Sequence, residues 1–224
     1  MQSGEQKTPA AGAGRANQKL RTRNAIVQAA VDLMRTGQDI TMLEVAKAAL
    51  VSEATAYRYF PDLTSLLREA MDGQMPNPAE ALAAVAGSND PVERVAAATE
   101  HLLRLVHGFQ GATRAMIAAT ITRPASADTR PGLRFGLIDQ ALAPLERTLG
   151  TDDPAAFAQL KLDLAVVVSA EAFFSLTDLC HLPAEDAIAS VVHTATAVTQ
   201  AALTEHALTE QAQSDARVTR GGMH

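Results

Sequence analysis

Apolar residues recur every three or four positions through most of the chain, the period of helices packed by one face, and the two-residue alternation of strands is missing. From about residue 17 to 35, Ile26, Ala29, Ala30 and Leu33 mark one such face, and Gly37 follows as a helix stop. Two short segments come next. Thr41 and Glu44 have the spacing of a capping box, opening a helix whose apolar contacts are Leu43, Val45, Ala46 and Ala49. Leu50 and Val51 make a turn, and Ser52 caps a second helix, Glu53–Tyr59. Beyond Pro61, an Asp62-capped helix carries Leu66, Leu67 and Ala70. The Gly/Pro-rich run at 73–78 interrupts the pattern and marks a hinge. Five or six further helical stretches, divided by Gly, Pro and Asp clusters, fill the rest. Val166, Val167 and Val168 favour strand but sit inside a helical pattern. The predicted fold class is all-α.

The second short helix is too polar and aromatic to be core. Glu53, Ala54, Tyr57 and Arg58 fall on the side facing away from Val51, Ala56 and Phe60. Two capped helices joined by a tight turn are the layout of a helix-turn-helix, whose second helix enters the DNA major groove. On that reading Glu53, Ala54, Tyr57 and Arg58 meet base edges, with Arg58 able to pair bidentately with guanine. Thr41, at a helix N-terminus, and Tyr59 are placed for phosphate, and Ser52 and Thr55 are further DNA-binding candidates. Arg21 and Arg23 on the preceding helix either contact the DNA backbone or minor groove or are plain surface charge.

The pattern T-x-x-E-V-A-x-A-A-x-V-S-x-x-T-x-Y-x-Y-F over residues 41–60, followed by the Asp-capped Leu-Leu helix, resembles the TetR family of bacterial transcriptional repressors. The resemblance covers about residues 25–70. It implies an N-terminal DNA-binding domain, a larger helical ligand-binding domain and a homodimer. Two positions depart from the family's pattern. The turn usually has Gly where this chain has Leu50, and a left-handed backbone there would cost roughly 1 kcal/mol. Leu63 stands where the family often has a phosphate-contacting Lys, so that contact is not expected here.

A net charge of −6 argues at first against nucleic acid, but the charge is unevenly spread. Residues 1–24 hold Lys7, Arg15, Lys19, Arg21 and Arg23 against Glu5 alone, whereas residues 73–224 carry 10 basic and 17 acidic groups. The acidity therefore belongs to the C-terminal part, and a basic arm precedes the helix-turn-helix. With 47% apolar residues the chain can bury a substantial core. No apolar run is long enough to span a bilayer, the polar start does not read as a signal peptide, and the one cysteine, Cys180, cannot form an internal disulfide. A cytoplasmic location is expected.

Two C-terminal stretches are apolar on more than one side. Continued as one helix over 157–179, Leu160, Leu164, Val167 and Phe174 form one stripe, and Leu162, Val166, Phe173 and Leu176 another nearly opposite. Over 183–206, Ile188, Val191, Val192, Ala195, Val198 and Ala202 align, with small residues elsewhere. A helix apolar on two sides must be covered on two sides. The expected dimer interface is a four-helix bundle through Leu160, Leu164, Ile188, Val191, Ala195, Val198 and Ala202. A ligand pocket is expected from Thr99, Leu103, Met116, Phe135, Val167, Glu171, Phe174 and Asp178. Glu171 and Asp178 project from an apolar stripe and so need either a ligand or a structural partner such as Arg104 or Arg134. His101 faces away from its helix's apolar stripe and reads as a surface residue.

The chain lacks a Ser-His-Asp signature, a Gly-rich phosphate loop and zinc-ligand spacing, so neither catalysis nor a cofactor is expected. The expected organisation is a flexible tail over 1–16, a DNA-binding domain over 17–73, an effector-binding and dimerisation domain over 78–208 and a tail over 209–224. The expected partners are a palindromic DNA operator, a small-molecule effector and a second copy of the chain. The alternatives are the same architecture without an effector and, less well supported, a helical enzyme on this fold.

Overall fold

The computed structural model describes residues 11–37, 40–72, 74, 76–122 and 132–221. Among them every regular element is helical, and no helix is long and apolar enough to cross a membrane. The chain forms two compact units, one of residues 1–74 with 109–130 and the other of residues 75–108 with 131–224.

The first unit contains α1 (Ala11–Met34), α2 (Met42–Ala48), α3 (Glu53–Tyr59), α4 (Leu63–Asp72) and α7 (Gln110–Thr122). Helix α1 begins at Ala11, inside the stretch expected to be tail, although Gly12 and Gly14 are weak helix formers. It ends at Gly37, whose φ of +69° is the left-handed stop for which glycine is suited. Ile26, Ala30 and Met34 line its inner face, and α4 answers with Leu66, Leu67, Ala70 and Met71. Helix α7 packs on α4 and α1. Sequence pattern assigned α7 to the C-terminal domain, and its contacts group it with the first unit instead.

The second unit contains α5 (Pro78–Ala81), a 3-10 turn (Ala83–Val85), α6 (Pro91–Gly108), α8 (Leu133–Glu146), α9 (Leu149–Asp152), α10 (Pro154–Val167), α11 (Ala170–Phe174), a π-turn (Ser175–Leu179) and α12 (Ala184–Gly221). Helix α6 packs against α12 and α8, and α10 against α12, α8 and α9. The helical stripe read through 157–179 is broken. Val168 leaves helical geometry at φ −79°, ψ 71°, and Ser169, at φ −146°, ψ 153°, starts α11 as its N-cap. The Ser169 hydroxyl donates to the Val166 carbonyl at 2.8 Å and accepts from the Ala172 amide at 3.1 Å, so one side chain closes one helix and opens the next. The preceding three valines, stiff at χ1, are weak helix formers at this point. The break resets the helical phase, which is why Phe173 and Phe174, adjacent in sequence, are both buried. Helix α12 also runs past residue 209, where a tail was expected.

Arg94 is a core residue that sequence pattern did not mark. It is 4% exposed and meets carbonyl oxygens only: Ala141 at 3.0 Å, Gln140 at 2.6 Å, Val85 at 2.9 Å and Ser88 at 3.3 Å. Pro144 inside α8 explains the second of these. A proline has no N–H, so the Gln140 carbonyl one turn earlier lacks its helical donor, and the guanidinium supplies one.

Candidate nucleic-acid interface

Local chemistry builds the helix-turn-helix from both ends. The Thr41 hydroxyl accepts from the Glu44 amide at 3.2 Å, while a Glu44 carboxylate oxygen accepts from the Thr41 amide at 2.9 Å. The capping box is complete. Ser52 accepts from the Thr55 amide at 3.2 Å, and the two hydroxyls share a further bond of 2.8 Å. Between the helices the chain turns on Leu50, with φ at +57° and its side chain 92% exposed. The side chain therefore contributes almost no packing to offset the left-handed backbone. Leu50→Gly should raise stability by about 1 kcal/mol, less whatever the unfolded chain gains in freedom. A urea-denaturation midpoint that falls instead would show that the turn does not hold this backbone.

Helix α3 presents two different faces. Ala56 and the following Phe60 are buried, holding the helix on the unit's core. Glu53, Ala54, Tyr57 and Arg58 are exposed, with Tyr57 at 48%, and Thr55 and Tyr59 are half-buried. The Arg58 guanidinium lies 5.6 Å from the Tyr59 ring centroid. Beside it is a surface groove of about 420 Å³ lined by Gln18, Lys19, Arg58 and Tyr59. Lys19 was not singled out from sequence, because its proximity to α3 arises only when α1 folds onto the unit. Arg21 is exposed on the same helix, and Thr41 at the start of α2 is exposed too.

Arg23 has another use. Both its terminal nitrogens bond the Glu69 carboxylate of α4, and its guanidinium lies 4.7 Å from the Phe60 ring centroid. It ties α1 to α4 and to the end of α3, so a DNA contact would require it to leave both partners. Tertiary pairing of this kind is not visible in a string of basic residues.

The residues expected to line a ligand pocket are distributed over both units. Met116 is buried in the first unit, whereas the others belong to the second. Phe135 is 52% exposed and Asp178 is exposed on the π-turn. Thr99 is buried, but its hydroxyl already donates to the Val95 carbonyl at 2.7 Å. Leu103 and Phe174 are buried apolar side chains, and Val167 is half-buried beside the Ser169 break. Glu171 pairs with Arg134 at 3.5 Å from the first turn of α11, where a carboxylate also suits the helix dipole. Arg104 instead bridges Glu185 and Glu100, and those carboxylates raise its pKa, Glu185 foremost.

His101 corrects an expectation in the other direction. It is half-buried rather than at the surface, its Nε2 is buried without a hydrogen-bond partner among the described residues, and burial lowers its pKa.

The expected dimer stripe is also placed differently. Leu160, Leu164, Ile188, Val191 and Ala195 are buried within their own unit, with Val198 and Ala202 half-buried, so these residues form the protomer's core. The second apolar face of α10 is the open one: Leu162 is 62% and Val166 76% exposed, one turn apart. On α12 the exposed small residues include Ala189, Ala197 and Ala201.

A capped helix-turn-helix within an all-helical, two-unit chain defines a class of DNA-binding architecture. The comparison with solved structures narrows it. The chain is similar to the crystal structure of a TetR transcriptional regulator from Rhodococcus sp. RHA1, with a TM-score of 0.50 and 23% sequence identity over 80% of this chain and 97% of that one. The fold is therefore that of the TetR regulators. No protein-family model and no curated protein matches the chain.

Proposed function

We propose that the protein is a DNA-binding transcriptional regulator that acts as a homodimer on a two-fold symmetric operator. The observation that carries this reading is the outward face of α3. Glu53, Ala54, Tyr57 and Arg58 stand exposed on a helix fixed by Ala56, Phe60 and a serine cap, beside a groove holding Lys19. Nothing in packing or capping requires an exposed tyrosine and arginine on that face, whereas groove recognition uses both. Arg58 reads a base, Tyr57 and Glu53 lie against neighbouring edges, and Lys19, Arg21, Thr41 and Tyr59 meet phosphates.

Arg58→Ala should weaken specific binding by about 1–3 kcal/mol and relax preference at one position in each half-site. A gel-shift series at fixed salt measures this. Wild-type affinity of the variant for the cognate duplex, with undiminished discrimination against a scrambled one, would remove Arg58 from base reading.

Dimerisation in this proposal uses the open face of α10, through Leu162 and Val166, together with the small residues on the outside of α12. Repression relieved by a small molecule is the accompanying mechanism. Its structural support is connectivity: α6 continues through Phe109 into α7, which packs on α4 and α1. A shift of α6 on effector binding would be handed to the helices that seat α3, and half-sites at fixed spacing would be lost. The reading without an effector draws its support from Thr99 and Glu171, whose polar groups already have protein partners. A reporter gene silenced by the protein and released by a compound separates the two.

A further inference from the structure

We propose that Asp152, His206 and Glu210 form a binding site for a divalent transition-metal ion. One ligand atom from each, an imidazole nitrogen and two carboxylate oxygens, lies within 4.8 Å of the others. His206 and Glu210 are one turn apart on α12, so both project from one face, the spacing by which a helix offers two ligands to one ion. His206 Nε2 and the Glu210 carboxylate are 3.6 Å apart. Ligand atoms about 2.1 Å from a tetrahedral ion stand roughly 3.4 Å from one another, so this pair is nearly in place and Asp152 needs a small rotation.

Asp152 comes from a fixed corner. Its amide donates to the Thr148 carbonyl at 2.9 Å, and buried Leu149 anchors the turn. The next residue, Asp153, caps α10 by accepting from the Ala156 amide at 3.0 Å. The backbone carrying Asp152 is thus held on both sides. His206, with 16% of its side chain exposed, is held by packing.

Two carboxylates sit close together, and among the described residues neither has a Lys or Arg partner, His206 being the only basic group. A divalent ion would hold both carboxylates and take the imidazole nitrogen as a third donor. The donor set selects the ion's class. One imidazole with two carboxylates suits zinc, manganese, iron or nickel, whereas magnesium and calcium prefer oxygen alone. Three protein ligands also leave at least one position open. Occupancy would pin α12 at His206 to the corner between α9 and α10, a link within the second unit that does not depend on the DNA-binding reading. The His206 and Glu210 spacing on α12 was not read as a ligand pair from the sequence, and the third ligand is supplied by a distant corner.

The test uses full-length protein dialysed against chelator and titrated with zinc chloride by calorimetry, with thermal melts in parallel. One zinc per chain should bind, the melting temperature should rise because the ion binds only the folded site, and magnesium at the same concentration should do neither. Asp152→Asn and His206→Gln should each weaken zinc roughly tenfold or more and abolish the thermal shift, while Glu205→Gln, one charge fewer on the same helix, should change nothing. Failure of the wild-type protein to take up zinc saturably would overturn the site, as would undiminished binding in both ligand variants.

Discussion

Replacing Arg94 with methionine should destabilise the protein by about 3–5 kcal/mol, a large part of the roughly 5–15 kcal/mol that keeps a domain folded. Methionine retains much of the volume, so the effect would come from hydrogen bonding rather than a cavity. Four carbonyl oxygens, from Val85, Ser88, Gln140 and Ala141, would lose the guanidinium; Val85 keeps the Ser88 amide as donor, but Gln140, opposite Pro144, does not have a helical one, and an unsatisfied buried group costs about 1–3 kcal/mol before relaxation or water entry. Urea denaturation followed by circular dichroism measures the loss, and the melting midpoint should fall by roughly 10 °C. The role of Pro144 gives the prediction a second arm. Pro144→Ala returns an N–H to the Gln140 carbonyl, so combined with Arg94→Met it should recover about 1 kcal/mol relative to the two separate effects. Strict additivity would mean that Arg94 does not compensate for the proline.

Val166→Arg should leave each protomer folded and convert the proposed dimer to monomer. Val166 is 76% exposed in the single chain, so an arginine is accommodated without disturbing the core. In an isologous interface the substitution occurs twice and sets two cations against an apolar, two-fold related surface. A cost of about 3 kcal/mol or more raises the dimer dissociation constant by over a hundredfold. Sedimentation velocity reads the change directly. DNA affinity should fall in step, because the second half-site contact is no longer tethered to the first. Leu164→Arg provides the contrast: Leu164 is fully buried in the protomer, so that variant should unfold rather than merely dissociate. A Val166→Arg protein that remains dimeric would place the interface elsewhere.

What could be read in the sequence was what local chemistry decides. The Thr41 and Glu44 capping box and the Ser52 cap each involve residues no more than three apart, and the structure shows both, whereas the left-handed backbone at Leu50 was suggested only by the glycine the resembled family has there. The inward and outward faces of α3 followed from periodicity, because a helix of seven residues gives phase little room to drift. Over 157–179 the same method failed. It assumed one continuous helix, and the cap at Ser169 reset the phase, so Glu171 and Asp178 left the stripe that had made them candidates for a pocket. The two faces of α10 illustrate a different limit. Leu160 with Leu164 and Leu162 with Val166 are equally apolar, and only the packing of α8, α9 and α12 decides which pair becomes core. Arg23 with Glu69 and Arg94 with the carbonyls around Pro144 are pairings across the fold, and no spacing rule encodes them.

The central claim is that α3 reads DNA from a two-fold symmetric dimer, and selection from a random duplex pool tests it most directly. Full-length protein should enrich inverted repeats whose half-site centres lie about one helical turn, or a multiple of it, apart. Apparent affinity for those repeats should fall steeply as salt rises, since Lys19 and Arg21 would release counterions from phosphate. Arg58→Ala, carried through the same selection, should lose information at one symmetric pair of positions and retain the repeat spacing. Absence of any enriched motif, or an identical motif from wild-type and Arg58→Ala proteins, would contradict the account.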